Sequence, residues 1–348
     1  MKRCPILIAF LFLILTGCGS ERAEESNQTT STVFAMDTVM SLTAYAPEHS
    51  DATSNALNAA EAEIHRLDKL LSVSSESGDI FQLNRDGTAS VSKETYDLIA
   101  RALQIAKETN GDFDPTVYPL MEAWGFTTEQ YAVPGQSTLD NILLRVGYQQ
   151  VQIQEDANHQ SWTITLPNGG GLDLGGIAKG YTGQKVISAI SEAGVSSAIV
   201  SLGGNVACLG LHPDGSPWTV AIRNPSGDGT IATLSLGQAG TSFSIVTSGA
   251  YERYFEQDGQ IYHHILDPQT GAPAKTDILS VTVVSTDGTL ADALSTALFV
   301  KGFDEAVSFW QAHADEFEMV LITEDGLYVT NGLTISSEAP IYTLEVES

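Results

Sequence analysis

The chain reads as an α+β protein, and three observations lead to that class. Stretches with helical spacing of apolar residues alternate irregularly with short runs rich in β-branched residues, without the steady β-α-β rhythm of a doubly wound sheet. Hydrophobic residues make up 43% and charged residues 17% of the 348 positions, enough for a globular core. No short-period repeat and no linker interrupts the chain from about residue 33 onward, so 33–348 is expected to form one compact, possibly bilobal, domain.

The N-terminal residues are read apart from that domain. Lys2 and Arg3 precede an apolar run over 5–15, too short to cross a hydrocarbon core of ~30 Å. This is the pattern of a signal peptide, expected over 1–17. Leu15-Thr16-Gly17-Cys18 fits a lipobox, which makes Cys18 the expected site of lipidation. The stretch 18–32 is polar and acidic, suited to a flexible tether. The expected location is the extracytoplasmic face of a cell membrane, held by lipid.

The domain then begins with an expected strand over 33–45. A helix is expected over 52–71, where Leu57, Ala60, Ile64, Leu67 and Leu71 form one apolar stripe. A second spans 94–108, with Ser92 or Lys93 at its start and Gly111 just past its end. Residues 115–125 read as irregular or short helix. A hairpin is expected from 151–154 and 162–166 across the turn residues 156–158, and 168–171 is a glycine loop. The next helix covers 179–193 and stops at Gly194. Strands follow at 197–202, 218–223, 233–236, 243–247 and 279–285. Helices are expected over 290–300 and 303–314, and closing strands over 318–322, 327–329 and 341–346.

Of three cysteines, Cys4 lies in the signal and Cys18 at the anchor. Cys208 alone remains for the domain, which excludes an internal disulfide there and suggests a buried thiol. The net charge is −27, from 43 acidic and 16 basic residues. Such a surface repels a phosphate backbone, so nucleic acid is not an expected partner. Any other anionic ligand needs a local cationic device, either a divalent cation or a helix N-terminus.

Several segments carry chemistry. Residues 173–181 (DLGGIAKGY) follow a glycine loop and open a helix. Small residues permit close backbone approach, the helix start favours anions, and Lys179 adds a point charge. Residues 201–206 read as a strand entering a Gly203-Gly204 turn. Asp292 and Thr296, at i and i+4, share a helix face and can offer oxygens to a hard cation; Asp292 alone also reads as a partner of the helix dipole. His263 and His264 are adjacent in an extended stretch, so at most one enters a given site.

In order along the chain, FAMDT (34–38), GDFDPTV (111–117) with WGF (124–126), 173–181, 201–205, 247–253, 264–271 and 291–299 resemble the ApbE family of FAD:protein FMN transferases. The resemblance covers about residues 33–302 and implies a T-fold-like domain. It also implies that Met36, Trp124, Gly125, Phe126, Asp173 and Lys179 line an FAD site, with Ile265 beside the nucleotide and Ser248 in the same pocket. By the same resemblance, the Gly176 carbonyl, Asp292 and Thr296 would hold Mg²⁺, with Mn²⁺ an alternative, and His264 would assist acid/base chemistry.

The implied reaction moves FMN from FAD to a Thr or Ser hydroxyl of an acceptor protein and releases AMP. The implied acceptor is a flavoprotein subunit of a membrane or extracytoplasmic electron-transfer system. A pyrophosphatase giving FMN and AMP and a non-catalytic flavin-binding lipoprotein are the alternatives. Two positions depart from the family pattern: Asp37 stands where many members have glycine, and Val73-Ser74 follow Leu71-Ser72 where many have an aromatic residue.

Overall fold

Residues 27–46, 51–158 and 160–346 are described by the computed structural model. The expected signal over 1–17, Cys18 and the stretch 18–26 lie outside the described residues.

The first departure from expectation comes at once. Instead of one strand over 33–45, the chain forms a hairpin of β1 (Asn27–Ala35) and β2 (Thr38–Ala46), paired from Asn27↔Ala46 to Ala35↔Thr38. The strand begins six residues earlier than expected, so 27–32 is paired backbone rather than tether. The turn is Met36-Asp37, with φ of 49° and 59°. Two consecutive left-handed residues match the twist of a tight hairpin, and Asp tolerates that region better than most residues. This explains how Asp37 occupies a position where glycine is the family habit.

α1 (Ala52–Leu71) follows and buries its predicted stripe. α2 (Asp79–Asp86) and β3 (Thr88–Val91), neither expected, lead to α3 (Lys93–Glu108). Ser92 caps α3 by accepting the Thr95 N–H at 3.2 Å. A short turn over Pro115–Val117 precedes α4 (Tyr118–Trp124). Then come α5 (Gln136–Leu143), β4 (Gln152–Glu155) and β5 (Trp162–Thr165). The expected hairpin of β4 and β5 is present, and β3 adds to its other edge.

α6 (Ala178–Glu192) opens the second half, followed by β6 (Ser197–Leu202), β7 (Asn205–Leu209), β8 (Trp218–Arg223), β9 (Thr230–Leu236) and β10 (Ser242–Gly249). The ribbon of β11 (Tyr254–Gln257) and β12 (Gln260–His263) leads to β13 (Ser280–Ser285), α7 (Gly288–Lys301) and α8 (Phe303–Ala312). The chain closes with β14 (Glu318–Thr323), β15 (Gly326–Thr330), β16 (Thr334–Ser337) and β17 (Ile341–Leu344).

Nine strands form the main sheet in the order β1-β2-β6-β7-β10-β13-β14-β15-β17, antiparallel except for the last pair. Its central strands are buried on both faces, and side chains alternate between two cores. On β10, Ile245 points to one core and Val246 to the other; on β14, Val320 and Ile322 oppose Met319 and Leu321. One core lies under the three-stranded sheet β16-β9-β8, where Cys208 is fully buried and its thiol is pushed up to about 12 by that burial. The other lies under the helices.

α7 sits in the middle of that helical layer and is apolar nearly all round, as a fully enclosed helix must be. It packs against β10, β13 and α6. The crossing with α6 is glycine to glycine: a Cβ on Gly180 would stand 2.0 Å from the Gly288 carbonyl oxygen. That approach brings the start of α6, where Lys179 lies, onto the second turn of α7, where Asp292 lies.

Candidate functional site

Asp292 is 4% exposed, a carboxylate on a helix otherwise made of small and apolar residues. Asp287 caps α7 by accepting the Leu290 N–H at 3.1 Å, so the helix start has its own acidic partner. Asp292 is instead turned toward α6, where its Oδ2 accepts the Gly180 N–H at 2.7 Å. Burial raises its pKa; the Lys179 ammonium and the Gly180 N–H pull it back down.

One turn on, Thr296 faces the same way. Its hydroxyl lies 3.5 Å from Ser248 Oγ, which is itself 2.7 Å from Ser295 Oγ. Gly176 comes against this group from the approach to α6. A Cβ there would be 3.7 Å from Thr296 Oγ1 and 3.3 Å from the Phe113 ring. One carboxylate, three hydroxyls and the Gly176 backbone are thus drawn together from three elements. Among the described residues no group of three or more His, Cys, Asp or Glu side chains is arranged to hold a metal. The available donors are mostly neutral oxygens, the set a hard cation takes.

Lys179 is the electrostatic centre of the mouth. Its charge acts on Asp292, Asp173, Glu252 and His264. Asp173 is raised by burial, lowered by the Gly175 N–H (2.7 Å to Oδ1), Lys179 and Arg253, and raised again by Asp37. This coupling sets the tip of the β1–β2 hairpin at the same mouth. Met36 there donates its N–H to Asp68 Oδ1 at 3.0 Å and receives the Thr182 hydroxyl at its sulfur, 3.8 Å away.

The two histidines separate as the extended geometry predicts. His263 turns to the Ala274 carbonyl and the edge of Phe299. His264 has Nδ1 3.1 Å from the Arg253 carbonyl oxygen and its ring 6.3 Å from that of Phe126, edge to face. Burial and the nearby Lys179 bring it down to about 4, so it is neutral at pH 7. A carbonyl can only accept, so Nδ1 carries the proton and Nε2 keeps its lone pair.

The WGF segment stands one layer back. Trp124 and Phe126 are 2% and 1% exposed, enclosed with Phe255 and Leu266 rather than presenting open ring faces. Trp124 donates its indole N–H to the Gly271 carbonyl at 2.8 Å. Phe126 holds Arg253, whose guanidinium donates to the Phe126 carbonyl and lies 5.8 Å from its ring centre. Gly125 has a φ of 81°, and a Cβ would collide with the Gln130 backbone at 2.1 Å. Ile265 is buried, and its carbonyl accepts the Ala274 N–H at 2.9 Å. These residues shape and brace the wall on which His264 and Arg253 sit.

Three participants had no role assigned from sequence: Arg253, Glu252 and Asn205. Arg253 and Glu252 lie within a segment that was recognised, but only the ribbon of β11 and β12 brings them to His264 and Lys179. Asn205 also lies within a recognised segment, 201–205, at the end of the Gly203-Gly204 turn.

The fold and this mouth of oxygens, one ammonium and a neutral imidazole define a site for an anionic ligand. The ApbE family model matches residues 36–321, and the chain belongs to that family. The FAD:protein FMN transferase of Treponema pallidum is 35% identical over 269 residues, covering 70% of this chain and 74% of the relative. That of Escherichia coli K12 is 30% identical over 271 residues, 76% of each. Among solved structures, the ApbE protein of Thermotoga maritima superposes with a TM-score of 0.77 at 32% identity, covering 89% of this chain and 96% of that one. The apo flavinyl transferase ApbE of Pseudomonas stutzeri gives 0.75 at 27%, covering 90% and 95%.

Proposed function

We propose that this chain transfers FMN from FAD to a Thr or Ser hydroxyl of an acceptor protein, releasing AMP. The observation that carries the reading is the convergence of Asp292, Thr296, Gly176, Lys179 and a neutral His264 on one mouth, in a chain of this family. The oxygen donors fit Mg²⁺ or Mn²⁺, with Asp292, Thr296 and the Gly176 carbonyl as the groups that would hold it. When bound, the cation would neutralise pyrophosphate charge and orient the FMN-side phosphorus for in-line attack.

The chain's own residues do the rest. Lys179 supplies a fixed positive charge for phosphate oxygens. His264 Nε2, unprotonated above about pH 4, receives the proton of the attacking hydroxyl as the new O–P bond forms and the bond to the AMP oxygen breaks. The Arg253 carbonyl fixes the tautomer that leaves Nε2 free. The braced Phe126 and Arg253 keep the ring in place.

The proposal extends to location: a lipid on Cys18 would hold the enzyme at the outer face of a membrane. The acceptor would then be a subunit of a membrane or extracytoplasmic electron-transfer system. The test uses the chain from Ser20 onward with FAD, Mg²⁺ and such a subunit, following AMP and the acceptor mass. AMP with an FMN-sized mass gain is the expected result. AMP without labelling of any acceptor supports hydrolysis instead, and FAD bound but intact refutes catalysis.

A further inference from the structure

Asn205 is the first residue of β7, placed by the Gly203-Gly204 turn, whose φ values are 62° and 101°. The turn backs onto Thr38, where a Cβ on Gly203 would stand 2.4 Å from the hydroxyl. Asn205 is 6% exposed, yet its Nδ2 has no hydrogen-bond partner. The narrow cleft it shares with Lys179, Gly180, Ser244 and Val246 leaves no room for a water molecule. A buried donor without an acceptor is an expense that a fold seldom tolerates without use.

The group beside this amide is the Asp292 carboxylate. The amide lies close enough to Asp292 to act on its carboxylate as a hydrogen-bonding group, drawing it downward together with Lys179 and the Gly180 N–H, yet Nδ2 does not reach the geometry of a closed bond. Gly180 already occupies Oδ2. A carboxylate accepts at two oxygens and several lone pairs, so a second donor from β7 has a place.

We infer that Asn205 is a positioning residue whose amide is reserved for the Asp292 carboxylate in the ligand-loaded site, fixing the orientation in which Asp292 meets a divalent cation. Gly180 restrains the carboxylate from α6 and Asn205 from β7. The inference rests on the function proposed above, since it gives the carboxylate a cation to meet.

The test is Asn205→Leu, which keeps side-chain bulk and removes the donor. In the ligand-free protein the donor makes no closed bond, so its loss is expected to leave the thermal midpoint close to the wild-type value or higher. Mg²⁺ affinity, read by calorimetry without FAD, is expected to weaken at least tenfold. In an Asp292→Asn background the same substitution should add no further loss, because its effect runs through that carboxylate. Asn205→Ala repeats the comparison should the leucine overfill the cleft. Undiminished Mg²⁺ affinity in both variants overturns the inference, as does a ligand-free midpoint that falls in both, which would make the role structural. These results leave the proposed function standing when the wild-type chain binds Mg²⁺ and labels the acceptor; a wild type that binds no Mg²⁺ overturns both.

Discussion

Gly180→Ala isolates the contact on which the site depends. Helix propensity alone favours alanine by about 1 kcal/mol in a helix interior. Here the added Cβ would stand 2.0 Å from the Gly288 carbonyl oxygen and 2.6 Å from Asp292 Cβ. Both neighbours are backbone or the root of a buried side chain, so neither can swing aside. Relief requires α6 and α7 to part by roughly 1 Å in a close-packed interior. Overpacking of this kind costs about 1–3 kcal/mol. The clash outweighs the propensity gain, leaving a net loss of roughly 1–2 kcal/mol.

The effect on chemistry should be larger than on stability. Parting the helices stretches the 2.7 Å bond from Gly180 to Asp292 beyond hydrogen-bond range, and a displacement of about 1 Å at a reacting centre can cost 10²-fold. Urea unfolding and FMN transfer, measured on the same preparation, read the two effects separately. Gly183→Ala is the control, three residues along the same helix. Its Cβ would meet only the tip of Leu202 at 3.2 Å and the Ala207 methyl at 3.7 Å. It should be as stable as wild type or more stable by up to about 1 kcal/mol, and keep its rate. A Gly180→Ala protein with wild-type midpoint and rate would refute the close approach as the device that sets Asp292.

Three further outcomes follow from the same geometry. Asp292→Asn keeps an acceptor for the Gly180 N–H while removing a charge that burial disfavours, so the thermal midpoint should hold or rise while transfer collapses. His264 is neutral in the fold down to about pH 4, whereas an unfolded histidine takes up its proton near pH ~6.5. The unfolded chain therefore binds more protons between those values, and stability is lost as pH falls through that window. His264→Gln should flatten this slope and slow transfer by roughly 10²–10⁴; an NMR titration placing the wild-type ring near 6.5 would contradict the assignment. Finally, Lys301 and Asp112 form a 2.5 Å ion pair with side chains 6% and 12% exposed. Lys301→Met strands the carboxylate and should cost about 3–5 kcal/mol in urea unfolding, much of it recovered by adding Asp112→Leu.

The sequence was legible where a local period is tied to burial. The placement of α1, α6, β6, β8, β13 and α8 came from local pattern, and the stripe predicted for α1 is the side it buries. It was opaque where long-range contact decides. Met-Asp carries no hairpin signal of the Asn-Gly kind, so β1 and β2 read as one strand. α2 buries only Ile80 and Leu83 in eight residues, too little to show a period. In the site, Asp292 and Thr296 were visible because i and i+4 share a helix face. The Asn205 amide became relevant only when α6, β7 and α7 met. The family resemblance implied Trp124 and Phe126 as walls of the FAD site, and nothing in the sequence shows which side an aromatic ring faces; here both are buried and bonded to Gly271 and Arg253.

The charge distribution at the mouth returns to the question raised by a net charge of −27. Asp37, Asp173, Glu252 and Asp292 interact there with Lys179, Arg253 and Arg223. Burial raises Asp173, Glu252 and Asp292 alike, disfavouring their charged forms, and the cations act against that rise. Lys179 is committed to three of those carboxylates at once, and the neutral His264 adds no charge. The side-chain cations therefore already face carboxyl groups before any ligand arrives. A pyrophosphate entering this mouth meets carboxyl groups as well as cations, inside an acidic molecule whose far field repels it. On the function proposed above, a divalent cation on Asp292 would add positive charge beside the phosphates. On that reading the buried Asp292 carboxylate of α7 would anchor the cation, and Lys179, which favours the charged form of Asp292, would stand between that carboxylate and the phosphate oxygens.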